Sequence, residues 1–282
     1  MSISVQTNFR FWRIFNDWAL DAAGVAVAWR LAFASALGVT VSPASLLVLG
    51  LSVWLVYLGD RWLDVRGRNS DVLPTQRHGF VARHAKLVFA AWGGGLLLDV
   101  FVAFYGLNAP QIQAGLVLLG ICIVYTIGVQ HKARVRWTKE LQVALIFAAG
   151  IGIFFFGESL SLSATKGLLV TLAIFGLVCF VNCALIARWE IPADVRLGRQ
   201  SLARAMGEGV FWMRGWPALI GVASITIRGL LSPAMGHVAM ALALYAFSLQ
   251  LIDGFEWPRN PEDRRCLADG LLFAVGLWAW LG

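Results

Sequence analysis

Charge is scarce in this chain: 16 Asp and Glu with 23 Lys and Arg make 14% of 282 residues, against 59% hydrophobic. That balance, with a mean hydropathy of +0.73, excludes a soluble domain, whose core needs far less apolar material at this length. Cysteine is scarce too. Cys122, Cys179, Cys183 and Cys266 fall in apolar runs or at the edge of one, with neither paired spacing nor a nearby histidine cluster. Cys179 and Cys183 share a helix face but lack further ligands, so all four read as packing residues and not as a metal or redox site. His78 and His84 have no ligand spacing and read as interfacial, with a minor option of touching an anion. Residues 1–18 lack the uninterrupted apolar stretch and small-residue cleavage site of a signal peptide. With Arg10, Arg13, Asn16 and Asp17 set among aromatics, they read as an interfacial amphipathic helix.

What the chain has in quantity is apolar length. Runs near 19–38, 43–60, 86–106, 111–130, 140–157, 164–187, 209–227, 234–252 and 266–281 give about nine spans of roughly 20 residues, the seventh being the weakest. The expectation is an all-α polytopic membrane protein, a single transmembrane domain over 1–282. The net charge of +7 does not point to nucleic acid, because position says more than the sum in a membrane protein. All of the 23 Lys and Arg except Arg30, Lys166 and Arg228 lie in the N-terminal segment or in the connections near 61–86, 131–139, 188–214 and 259–265. The alternate connections at 39–42 and 107–110 carry none. The positive-inside tendency then puts the N-terminus and the basic loops in the cytoplasm, and nine spans leave the C-terminus outside.

The connections after the second and sixth runs both open with acids four apart: Asp60 and Asp64 in VWLVYLGDRWLDV, Glu190 and Asp194 in ALIARWEIPADVR. This reads as an internal repeat with motif loops near 60–84 and 188–204, and repeated halves often meet at a functional site. Residues i and i+4 share a helix face about 6 Å apart along the axis, so each pair forms an oxygen-bearing edge suited to a hard cation. Magnesium is commonly held by one or two carboxylates plus substrate phosphates. Arg61, Arg66, Arg68, Arg77, Arg83, Arg188, Arg196 and Arg199 in the same loops supply donors that match phosphate oxygens. Paired acids and arginines together point to a magnesium diphosphate. Helix-end charges beside a membrane with ordinary structural roles are the other reading. Asp99 and Glu158 read as boundary residues. Asn182, two turns before Glu190 in an apolar run, is a functional candidate or helix-packing glue.

The pattern resembles the UbiA superfamily of intramembrane prenyltransferases over nearly the whole chain. Asp60-Arg61-Trp62-Leu63-Asp64 resembles the second half of the family's first motif, NDxxDxxxD, and Glu190-Ile191-Pro192-Ala193-Asp194 resembles its second, DxxxD. Gly198 with Ser201-Leu202 is similar to the G-x-x-[ST]-L that follows. Val56-Tyr57 stands where the family has Asn-Asp, Glu190 where it has Asp, and Tyr125 with Lys132 is a loose counterpart of its Tyr-Lys element. The resemblance implies a UbiA-like bundle of nine helices and Mg2+ at Asp60, Asp64, Glu190 and Asp194, which are also the catalytic residues. It implies a prenyl diphosphate that ionises to an allyl cation for transfer to an unknown acceptor, among membrane lipids and without nucleic acid. Substrate-binding candidates are Arg61, Arg68, Arg77, Lys132, Arg188, Arg199, Asn182, Tyr57, Trp62 and Trp189. Trp54, Tyr57, Trp62 and Trp189 are candidates to face the cation, although an interfacial aromatic belt also explains tryptophans here. Cyclisation of the same diphosphate without an acceptor, as in a UbiA-type terpene cyclase, and non-catalytic lipid binding or transport are the alternatives. A bacterial inner membrane is the expected location.

Overall fold

The structure is a computed structural model that describes residues 10–66, 75–131, 139–196 and 200–282. The described residues form helices and no strand. They are α1 (Arg10–Asp17), α2 (Leu20–Leu37), α3 (Pro43–Val65), α4 (Gln76–Arg83), α5 (Ala85–Gly106), α6 (Ala109–His131) and α7 (Lys139–Gly152), which runs into a 3-10 turn at Ile153–Phe155. Then follow α8 (Leu162–Trp189), α9 (Ile191–Arg196), α10 (Leu202–Met206), a 3-10 stretch Gly207–Gly215, α11 (Trp216–Arg228), α12 (Pro233–Gly254) and α13 (Pro261–Leu281).

Local chemistry sets several of these boundaries. Ser42, Ser161, Ser232 and Asn260 each accept a hydrogen bond from an otherwise unpaired backbone N–H of the first turn that follows, at 2.9–3.4 Å. Three of them precede Pro43, Pro233 and Pro261 at the first helical position, where the missing N–H costs nothing. α2 ends on Gly38, whose φ of 65° is left-handed and allows the Gly38 and Val39 amides to close back onto Ser35 and Ala34.

Seven segments are long and apolar enough to cross a membrane: Leu20–Leu37, Pro43–Val65, Ala85–Gly106, Ala109–Gly128, Leu162–Trp189, Leu202–Arg228 and Pro233–Gly254. The other two apolar runs have a different form. The run at 140–157 is divided between α7, 14 residues long, and the 3-10 turn that follows. The run at 266–281 is the later part of α13, which begins at Pro261 and carries Arg264, Arg265 and Asp269. The weak seventh run is also divided, a 3-10 stretch leading into the 13 residues of α11.

α8 and α12 are central, with 56% and 61% of their apolar windows buried; α5 and α6, at 6% each, are peripheral. α2 packs along α13, α3 and α12, α7 packs along α8, and α11 along α12. Mid-bundle, Phe175 gathers Trp29, Phe33 and Phe147, with ring centroids 5.0, 6.0 and 6.0 Å away. Tyr57 meets the edge of Phe147 at 6.4 Å. Successive long helices alternate in direction, so α3, α8 and α12 end where α2, α7 and α13 begin, and this one end of the bundle receives both acid-bearing segments.

The α2–α13 contact is closest at Gly276, where an added Cβ would lie 2.9 Å from Trp29 Nε1, 3.0 Å from its Cδ1 and 3.2 Å from Ala28 Cβ. Trp29 is fully buried and donates to the Leu272 carbonyl at 3.0 Å, so it cannot swing aside. Gly276→Val is expected to cost about 1–3 kcal/mol through overpacking, read as a lowered Tm in detergent. Gly93→Ala, where a Cβ meets nothing within 4 Å, is expected to be neutral or stabilising by up to about 1 kcal/mol.

A charged candidate site at one end of the bundle

The last turns of α3 present Asp60 and Asp64. Asp60 lies 3.8 Å from Lys139 at the start of α7, both side chains about one-third exposed. Asp64 lies 3.7 Å from His78 on α4, a ring that is buried and bonded to Thr75. Arg61, between the two acids, turns inward. It is 4% exposed and donates to the carbonyls of Asn16 and Asp17, the latter at 3.3 Å. Carbonyls at a helix C-terminus lack intrahelical partners and attract cations, so Arg61 fastens α1 down over the bundle end. Trp62 packs on Phe89 of α5 at 5.6 Å, and Arg66 covers its ring at 5.3 Å.

The end of α8 points its side chains two ways. Arg188 and Trp189 face α12, where both donate to Asp253, the indole at 2.7 Å. Asp253 is fully buried, Arg214 lies 3.9 Å from its second oxygen, and Arg264 stacks over Trp189 at 5.4 Å. Glu190 faces α4 and α13. Arg77 donates to both of its oxygens, at 3.1 and 2.8 Å, and Arg265 stands 3.9 Å away. From Arg265 the network continues 3.6 Å to Asp269, which accepts from Asn182 at 3.1 Å. Asp194, half-buried on α9, is within electrostatic reach of Glu140, whose carboxylate accepts from the Leu202 amide at 3.1 Å.

The structure thus joins Glu190 to Arg77 and sets Asn182 behind them, but directs Arg188, Trp189 and Arg61 into structural contacts. Tyr57 lies deeper, against Phe147. Arg68, Lys132 and Arg199 lie outside the described residues. His84 stacks on Phe80 at 4.7 Å, apart from the acids. Asp99 accepts from Ser52 at 2.8 Å within the apolar region. Spacing did not single out Asp21, Glu140, Asp253, Arg265 and Asp269; their signal was an ionisable residue in or beside an apolar run, which by default marks a function or a buried partner.

Burial works against the Arg77 charge, but Glu190 outweighs it and holds the guanidinium above its ordinary value. Arg13, on α1, is also raised, by its hydrogen bond to Asp263 at the start of α13. Burial pushes the Asp17 carboxyl up, with Arg61 opposing. Beside these groups a narrow crevice, with room for about one water, is lined by Arg13, Asn16, Asp17, Gln76, Arg77, Glu262, Arg265 and Cys266.

Among the described residues no three His, Cys, Asp or Glu side chains are grouped to hold a metal ion. Asp60 and Asp64, one turn apart on α3, fit a hard cation by their chemistry. Glu190, with both oxygens taken by Arg77, fits a cation less well than it fits its arginines. No family model matches the chain, and no curated protein or solved structure matches it either.

Removing one partner of a buried ion pair strands the other. Arg77→Ala is therefore expected to cost about 3–5 kcal/mol, and Arg77→Ala/Glu190→Ala less than the sum of the single changes, in a double-mutant cycle read by thermal unfolding. Because its folded-state value is raised, Asp17 favours folding most below the ordinary carboxylate range, and that contribution is lost as pH rises through the folded-state value. Asp17→Asn is expected to remove that fall in a pH series of Tm.

Proposed function

We propose that the chain is a UbiA-like intramembrane prenyltransferase. In this reading α7 and α13 join the seven long apolar segments as spanning helices, the charged end faces the cytoplasm by the positive-inside tendency, and the membrane is a bacterial inner membrane. The observation that carries the reading is the bond between Arg77 and Glu190: residues 113 apart, one from each acid-bearing region, meet at one end of the bundle. A prenyl diphosphate would lie with its head at this end and its tail among the apolar helices.

Arg77 and Arg265, whose planar forks match phosphate oxygens, bind and orient the diphosphate. Mg2+ held by Asp60 and Asp64 would supply charge neutralisation for the departing group. Deeper in the bundle, Tyr57 and Phe147 present aromatic surface that excludes water around an allyl cation, while Trp62 is covered by Arg66 and Phe89. The C1–O bond to diphosphate breaks first, the acceptor carbon or oxygen then forms the new bond to C1 of the allyl cation, and the acceptor's proton leaves to a carboxylate or water. Cyclisation keeps the same ionisation and ends in proton loss from the prenyl chain itself. The grip of Arg77 on both Glu190 oxygens favours a second reading, a lipid-binding or transport protein in which the charges only hold the end of the bundle.

Diphosphate release from a panel of prenyl diphosphates, with purified protein in detergent and mass spectrometry of the organic extract, separates these readings. The prenyltransferase predicts release that requires Mg2+ and drops at least about 100-fold, as removal of a charge-stabilising group does, in Asp60→Asn and Asp64→Asn. A cyclic hydrocarbon in the extract would mark the cyclase. Prenyl lipid bound equally by wild type and variants, with no release, would leave the binding protein.

A further inference from the structure

Arg30, on α2, is 1% exposed. It lies nine residues beyond Asp21, roughly 13 Å along the helix axis, toward the end opposite the acids. Its Nη2 donates to the Phe154 carbonyl at 3.2 Å, and the guanidinium lies 3.9 Å from the centre of the Phe155 ring. Gln111, near the start of α6, donates to the same carbonyl at 3.3 Å. Among the described residues no other hydrogen bond reaches the group: Arg30 Nε and Nη1 are buried without a partner.

Arg61 and Arg264, the buried arginines of the charged end, each donate to two backbone carbonyls, against the single carbonyl at Arg30. The half-buried Arg77, Arg188 and Arg265 each have a carboxylate within 4 Å. Arg30 has none among the described residues, and Glu158 acts on it only at longer range. A guanidinium cannot relieve burial by losing its proton, and one carbonyl with a ring face compensates only part of a full charge. Buried polar atoms that lack a partner point to a bound water or ion.

We propose that a small anionic group binds at Arg30, between α2, α6 and the Ile153–Phe155 turn: a free halide, or the carboxylate of an organic ligand. Donors for it are the N–H groups along one edge of the guanidinium that the Phe154 carbonyl leaves unused, at Nε or at Nη1. A carboxylate matches the guanidinium fork, and the phenyl rings of Phe154 and Phe155 provide an apolar wall. The site stands apart from the acid pairs and does not depend on the prenyltransferase reading.

The test is thermal unfolding of the full chain in detergent at constant ionic strength, with bulky gluconate replaced stepwise by bromide, formate or benzoate. Wild type is expected to show a saturable rise in Tm that Arg30→Gln lacks and Arg214→Gln, at the other end of the bundle, retains. A rise with bromide and formate supports a free small anion, and a rise with benzoate alone supports the carboxylate of an aromatic ligand. No rise in wild type, or an equal rise in Arg30→Gln, overturns the proposal. Should Arg30→Gln fail to fold, anomalous scattering from wild-type crystals soaked in bromide or bromobenzoate decides: bromine beside Arg30 supports the site, and water alone there overturns it.

Discussion

Both oxygens of Glu190 are held by Arg77, and the position of that carboxylate governs the whole charged end. A charge in a low-dielectric setting must be matched closely or it destabilises the fold. Glu190 therefore draws α4 onto the end of α8, and Arg265 draws in α13. Asp269 and Asn182 continue the chain of contacts one and two turns deeper. The result is a ladder of alternating sign, descending from the bundle end toward the apolar interior.

Two further fastenings surround it. Arg61 reaches the C-terminal carbonyls of α1 and pins that short helix across the top. Asp253, with Arg188, Trp189 and Arg214, locks α8, α12 and the 3-10 stretch together. The arginine-rich loops thus do more than follow membrane topology, since several of their cations are spent holding helices in register. Arg77 and Arg265 hold Glu190 and also line the crevice, and they are the two cations that the proposed function turns toward a phosphate.

The all-helical, membrane-embedded character was legible in the sequence, because helices long enough to cross lipid need long apolar runs and little else. The positions of Asp60, Asp64 and Glu190 at one end were legible for a related reason: runs of alternating direction bring alternate connections together. The partners were not. Whether Arg188 faces Glu190 or Asp253 depends on the rotation of α8 about its axis, and a helix apolar on nearly every face carries no periodicity that records it. Asp253 and Asp269 sat inside or beside apolar runs with no spacing to mark them. Hydropathy was equally blind to winding, so the run at 140–157 gave no sign that it divides between α7 and a 3-10 turn.

The most direct test of the account is proximity of the two acid-bearing regions in a native membrane. In a background free of native cysteines, Arg77→Cys/Glu190→Cys would be treated with a short thiol-reactive bridging reagent, beside Glu190→Cys paired with a cysteine in place of Asp99, which lies deeper in α5 than the helix end. The account predicts rapid intramolecular bridging between positions 77 and 190 and little between 99 and 190. Equal bridging of both pairs, or none between 77 and 190, would contradict the convergence on which the proposed site rests.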